Sequence, residues 1–158
     1  MKSRDLIYVL ACISYCLIIG AGTYEHLSTW RIAFSEPPRS LMMFQGEYAI
    51  QPVSFWRPIH PLTLILLLAT LALNWRTGRR KNILITLGTY VLMIIATFIY
   101  FVPELMSITT TPFADTVDAE LQKRAHLWIS LSMVRLSFIF ASACVLIHGL
   151  TKPEGNPA

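Results

Sequence analysis

The last long apolar stretch of the chain, residues 126–150, carries an arginine near its middle. The stretch reads HLWISLSMVRLSFIFASACVLIHGL, and about 20 apolar residues with a rise of ~1.5 Å each are enough to cross the hydrocarbon of a bilayer. Arg135 falls roughly 13 Å along this axis, where a guanidinium costs ~2.5–3.5 kcal/mol on insertion scales. The chain can accept this charge only if the side chain turns away from lipid and meets polar groups of other helices.

The amino-acid composition also indicates an integral membrane protein. Hydrophobic residues make up 54% of the 158 residues and charged residues only 14%, whereas soluble domains carry about 25% charged residues. The formal net charge of +4 does not indicate a nucleic-acid partner, because the basic residues concentrate in short segments beside the apolar stretches, as the positive-inside rule describes. The three cysteines lie inside apolar stretches without a CxxC motif, which argues against a thiol–disulfide oxidoreductase.

Four apolar stretches predict an all-α fold, a four-transmembrane-helix up-down bundle that forms one domain over residues 1–158. The predicted spans are about residues 5–26, 60–75, 82–102 and 126–150. Lys2, Arg4 and the basic loop 76–81 place both termini on the cytoplasmic side of the cell membrane. The N-terminal stretch is interpreted as an uncleaved signal anchor. Short connections between spans two, three and four favour antiparallel neighbours.

The longest connection, residues 27–59, is predicted to be a partly helical cap on the outer side of the bundle. Ser40 follows two prolines and is expected to be the N-cap of a short amphipathic helix. Pro61 is expected in the first turn of span two, and Pro103 is expected to end span three. Asp115 is expected to be the N-cap of a long last helix that projects beyond the membrane, with Asp118 at the third helical position.

Ionisable and aromatic side chains converge at the outer end of this predicted bundle. Span three carries a polar face on which Tyr90, Thr97 and Glu104 recur at i, i+7 and i+14. The candidate catalytic residues are His26, His126, Arg135 and Glu104. The candidate substrate pocket comprises Tyr15, Tyr24, Glu25, His60, Tyr90 and Trp128.

Several roles for these residues stay open at the sequence level. Carboxylates and imidazoles suit zinc, iron or proton transfer, but no HExxH motif or i, i+4 histidine pair fixes a metal geometry. A haem held by His26 and His126 is a further alternative, so the cofactor stays unknown. Arg135 itself could form a structural ion pair with Glu104 or Glu25, assisted by tyrosine hydroxyls from Tyr15 or Tyr90.

Short motifs along the whole chain resemble the anthrone oxygenase-like family of small four-helix membrane proteins. They are GAGTYEH at the end of span one, PPRSLMM and FWRP in the long connection, IYFVPEL at the end of span three, and Trp128, Ser132 and Arg135 in span four. Ser132 stands where asparagine is common in the family, and Glu104 replaces an amide. The resemblance implies a membrane-embedded oxidoreductase acting on a small aromatic or quinone-like substrate. A histidine, His26 or His126, would then be the base, and Arg135 would anchor a phenolate oxygen.

Two other classes of function compete with this expectation. In a non-catalytic scaffold or accessory subunit, as a homo-oligomer or within a larger membrane complex, the polar faces would only hold helices together. A transporter or channel fits less well, because the polar face of span four ends near Arg135 and does not continue to the cytoplasmic side. An enclosed cavity lined by the candidate residues would favour a ligand site, and a closely packed bundle would favour the scaffold.

Overall fold

The computed structural model of the chain describes residues 3–153, and this part contains four long helices. They are α1 (Ser3–Ala33), α2 (Val53–Leu73), α3 (Arg80–Thr109) and α4 (Ala119–Gly149), each long and apolar enough to cross a membrane. No strand occurs between residues 3 and 153. Lys2 and residues 154–158 lie outside the described residues. The prediction of an all-helical membrane protein is confirmed at this level.

The helices form an up-down bundle in which each helix packs on the next and α4 packs back on α1. The Tyr8 hydroxyl near the start of α1 donates to the Leu146 carbonyl near the end of α4, over 2.6 Å. The Asn82 amide at the start of α3 donates to the Val145 carbonyl, over 2.8 Å. Gly149 lets α1 approach α4 closely, because the Tyr8 hydroxyl occupies the space that a Cβ at position 149 would fill. Neighbouring helices are therefore antiparallel.

The two ends of the bundle differ in what connects the helices. Residues 74–79 connect α2 to α3 at what we call the basic-loop end, where Arg79 donates to Asp5 of α1 over 2.7 Å. Residues 34–52 connect α1 to α2 at the opposite, long-connection end. Buried Phe34 and Leu41 pack there with Trp128 of α4. The long connection is therefore folded against the helices.

Two helices pass through prolines that the sequence placed at helix ends. α2 begins at Val53, earlier than residue 60, and contains Pro58 and Pro61. α3 continues beyond Pro103 to Thr109. In α3 a π-helical turn, Thr97–Phe101, precedes the proline, so the backbone hydrogen bonds are already shifted from i−4 to i−5 at that level. This local widening explains how the helix continues past the proline.

The helix caps also differ from the expectation. Asp118, not Asp115, is the N-cap of α4, and its carboxylate accepts hydrogen bonds from two backbone N–H groups of the first turn, over 2.9 and 3.0 Å. Ser40 lies inside a short 3-10 helix, Arg39–Phe44, and not at its start. The Ser40 hydroxyl donates to the carbonyl of Ala33 over 2.6 Å. Ser40 therefore joins the long connection to the end of α1.

Candidate functional site

The guanidinium of Arg135, in the middle of α4, turns toward α3. It donates to the Thr97 hydroxyl over 2.8 Å and to the Ser132 hydroxyl over 3.0 Å. Its Cζ atom lies 4.1 Å from the ring centroid of Phe101, within the range of a cation–π contact. The side chain therefore reaches polar groups and an aromatic face of the bundle, as its cost in lipid requires.

The ion pair that the sequence offered as one alternative for Arg135 does not form. Among residues 3–153, no carboxylate lies within salt-bridge distance of its guanidinium. Glu104 instead accepts two hydrogen bonds from Arg124, over 2.8 and 3.0 Å. The Glu25 carboxylate accepts a hydrogen bond from the indole N–H of Trp56, over 2.9 Å, and another from that of Trp30, over 3.3 Å. Glu25 still lies near enough to interact electrostatically with Arg135.

The tyrosine hydroxyls expected near Arg135 also have other partners. Tyr15 is hydrogen-bonded to Ser142 over 2.6 Å, and Tyr90 to Nδ1 of His60 over 2.9 Å. The real partners, Thr97 and Ser132, were not assigned to the site from the sequence. Thr97 shares the predicted polar face of α3 with Tyr90, and this periodicity is the signal that could have identified it.

Two π-helical turns lie beside Arg135. One is Glu25–Thr29 in α1, and the other is Thr97–Phe101 in α3. A π turn inserts one extra residue into an α-helix and is frequent at functional sites. The first turn presents Glu25 and His26, and the second presents the threonine and the phenylalanine that contact the guanidinium. The irregular backbone of both helices therefore coincides with the polar centre of the bundle.

His26 has one buried ring nitrogen available for a ligand. Its Nδ1 lies 2.7 Å from the carbonyl oxygen of Gly22, which can only accept, so the proton of a neutral ring resides on Nδ1. Its Nε2 is buried and has no hydrogen-bond partner among residues 3–153. The ring lies parallel to Trp128, with centroids 6.1 Å apart, and close enough to Arg135 for electrostatic interaction. A lone pair on Nε2 is suited to accept a proton.

Aromatic side chains connect this centre to α2. The Trp56 indole, held by Glu25, is stacked on His60 with centroids 5.4 Å apart. His60 is hydrogen-bonded to Tyr90, whose ring lies 5.3 Å from that of Tyr15. Together with His26, Arg135 and Trp128, these predicted pocket residues form one contiguous cluster with side chains from all four helices.

Three predicted site residues lie outside this cluster. His126 and Tyr24 are exposed, and Glu104 is bound to Arg124. Residues two positions apart in an α-helix are separated by about 200° around its axis. His126 therefore points away from the side of α4 on which Trp128 is buried. A haem held by His26 and His126 does not fit this arrangement.

The described residues contain no evident metal-binding group. No three His, Cys, Asp or Glu side chains between residues 3 and 153 are close enough to share a metal ion. Comparisons of the chain with protein-family models, with curated proteins and with solved structures gave no match.

Proposed function

We propose that this membrane protein binds a small aromatic compound with a phenol or quinone oxygen beside Arg135, and acts on it in an oxidation–reduction reaction. The observation that supports the proposal is a half-buried guanidinium and a buried imidazole nitrogen, both with unused hydrogen-bonding capacity. Arg135 has five N–H donors, and its described hydrogen bonds go to two neutral hydroxyls. Nε2 of His26 is buried without a partner among residues 3–153. A phenol oxygen placed between them would satisfy both.

The chemistry follows from the roles of these two groups. The phenol O–H would donate to Nε2 of His26, and on proton transfer the O–H electron pair stays on the oxygen as a phenolate while the proton remains on the imidazole. The guanidinium of Arg135 would stabilise the negative oxygen in a site of low dielectric. A quinone would instead accept hydrogen bonds from Arg135 through its carbonyl oxygen. Phe101 and Trp128, which pack against Arg135 and His26, would lie beside the aromatic ring of the ligand.

The type of reaction comes from the motif resemblance. An anthrone oxygenase-like protein would oxidise the phenolate, with dioxygen as the electron acceptor. Ser132 replaces the asparagine that is common in the family, and its hydroxyl accepts a hydrogen bond from Arg135 over 3.0 Å. A serine can therefore position the arginine here.

The distribution of basic residues supports a location for the site in the outer leaflet. Among residues 3–153, the basic residues at the basic-loop end are Arg4, Arg76, Arg79, Arg80, Lys81 and Lys152. By the positive-inside rule this end lies in the cytoplasm. Both π turns lie toward the opposite end of the bundle, and the ligand would enter from the outer half of the membrane.

A second candidate function, a non-catalytic scaffold or accessory subunit, is favoured by a different observation. Several buried hydroxyls form hydrogen bonds between helices and are therefore not free to bind a ligand. Tyr15 of α1 is hydrogen-bonded to Ser142 of α4, and Thr86 of α3 donates to the Ser142 carbonyl over 3.0 Å. Bonds of this kind are worth ~0.6 kcal/mol each in membrane proteins. In a scaffold, Arg135 would serve the same purpose.

A chromogenic phenol separates the two candidates. A nitrophenol absorbs at longer wavelength as the phenolate, so its spectrum reports both binding and proton loss. We expect purified wild-type protein to shift bound nitrophenol toward the phenolate at a pH where the free compound is mostly protonated. His26→Gln should lose this shift, because the amide is not a base at this pH. His126→Gln, a change at an exposed histidine, should keep it.

Two results would contradict the proposal. If the nitrophenol spectrum does not respond to the wild-type protein, the scaffold is the better interpretation. If His26→Gln retains the full phenolate shift, His26 is not the base. Size-exclusion chromatography of each variant checks that the comparison is made between folded proteins.

A further inference from the structure

An open apolar groove runs along the outside of α1. It has a volume of about 520 Å³ and extends from Val9 to Ala21, with Leu150 at the basic-loop end and Phe55 of α2 at the long-connection end. The α1 part alone is ~18 Å long at a rise of ~1.5 Å per residue. Because this face lies on the outside of a membrane-spanning bundle, hydrocarbon has direct access to it.

The lining of the groove fits a hydrocarbon chain. Its walls are apolar side chains, the thiols of Cys12 and Cys16, and Gly20. A Cβ built on Gly20 meets nothing within 4 Å, so this position leaves open space along the groove. None of the lining residues carries a charge or an amide. An apolar chain would therefore be the preferred occupant.

The long-connection end of the groove lies next to the polar cluster. The ring of Phe55, which lines the groove, contacts Trp56 edge to face, with centroids 5.0 Å apart. The Trp56 indole donates to Glu25 and is stacked on His60. A chain lying in the groove would thus end one residue away from the candidate site.

We infer that the ligand of this protein is a phenol or quinone with a long isoprenoid tail, which lies in the α1 groove while the aromatic ring passes Trp56 toward Arg135. The inference rests on the proposed function for the class of head group. A phospholipid fits less well, because its phosphate would approach the carboxylate of Glu25 at the end of the groove. An uncharged aromatic head meets indole and imidazole rings there. Entry from the bilayer also requires no aqueous channel.

Binding to protein in lipid nanodiscs tests the inference. The probes are a benzoquinone without a side chain, the same benzoquinone with a geranylgeranyl chain, and geranylgeraniol as a tail without the ring. Quenching of tryptophan fluorescence reports binding of the two quinones, and geranylgeraniol is tested as a competitor. Each concentration is corrected for partitioning into empty nanodiscs. We expect the tailed quinone to bind at least about tenfold more tightly than the tailless one.

Two glycines provide a matched pair of variants. Gly20→Leu fills the groove, whereas Gly88→Leu adds the same side chain on α3, where a Cβ also meets nothing within 4 Å. Gly20→Leu should weaken binding of the tailed quinone about tenfold and leave the tailless quinone unchanged. Gly88→Leu should change neither. A diazirine in the tail of the quinone should crosslink to residues 9–21 in the wild-type protein, a test that requires no variant.

The possible failures have separate meanings. If both quinones bind equally well after correction, or if Gly20→Leu and Gly88→Leu behave alike, the tail does not use the groove and only the proposed function survives. If geranylgeraniol displaces the tailed quinone with equal affinity, the groove binds any lipid chain and the inference is wrong. If neither quinone binds the wild-type protein, the inference fails together with the quinone part of the proposed function.

Discussion

Removal of the charge at Arg135 should abolish ligand binding without unfolding the protein. Arg135→Leu removes a guanidinium that costs ~3 kcal/mol in the hydrocarbon region. The change also removes two hydrogen bonds, worth ~0.6 kcal/mol each in membrane proteins, and a desolvated cation–π contact worth about 2 kcal/mol. The free energy gained by removing the charge and the free energy lost with these contacts nearly cancel. Thr97 keeps a hydrogen bond to the Met93 carbonyl, at 2.7 Å, whereas the buried Ser132 hydroxyl loses its described partner.

The expected free energy of unfolding of Arg135→Leu is therefore within about 1 kcal/mol of wild type. Far-UV circular dichroism during a titration from mild detergent into dodecyl sulfate measures this quantity. Nitrophenol absorbance measures binding on the same preparation. Arg124→Leu is the matched control, because it makes the same change in α4 at an ion pair whose arginine side chain is 39% exposed. The control should keep wild-type phenol binding.

The reasoning is refuted by either of two results. Wild-type affinity in Arg135→Leu would show that the guanidinium does not anchor the ligand. A loss of several kcal/mol in the free energy of unfolding would show that Arg135 is mainly structural, and the loss of binding would then carry no information about the site.

Three further substitutions, with Asp115→Ala as a control, test the geometry of the bundle by the same unfolding titration. Tyr90→Phe should lower the free energy of unfolding by about 1–2 kcal/mol, because Nδ1 of His60 loses its partner; no change would mean that this hydrogen bond is absent in lipid. Asp118→Ala should cost about 1 kcal/mol through loss of the α4 cap, while Asp115→Ala should be nearly neutral; the reverse order would restore the sequence-based N-cap. Gly149→Ala should cost about 1–3 kcal/mol, because its methyl group would overlap a buried tyrosine hydroxyl, and a neutral result would mean that α1 and α4 pack less closely.

Sequence reasoning identified the helices but not their limits, because hydropathy is a local property and helix length is not. Four apolar stretches are sufficient to predict four membrane-spanning helices. Whether a helix ends at a proline depends on whether the preceding turn can widen. The π turn before Pro103 provides this widening, and hydropathy contains no signal for it. Likewise, Asp115 and Asp118 are both acceptable caps by sequence, and the long connection favours the second, because the Asp118 N–H donates to the Pro37 carbonyl over 3.0 Å.

For the candidate site, the sequence likewise predicts one feature and not another. The inward turn of Arg135 follows from solvation energy alone, so the sequence is sufficient to predict it. The choice of partner depends on the rotation of α3, and a π turn changes that rotation. With 3.6 residues per turn, Thr97 and Glu104 share one face. The extra residue within Thr97–Phe101 rotates all later residues by about 100°. Glu104 also lies seven residues, about 10 Å, farther along α3 than Thr97, so it pairs with Arg124, and Arg135 is left with two hydroxyls and a ring. Because Glu104 is bound to Arg124, the ion pair that the sequence left open as an alternative does not neutralise Arg135, which is what the proposed ligand site requires.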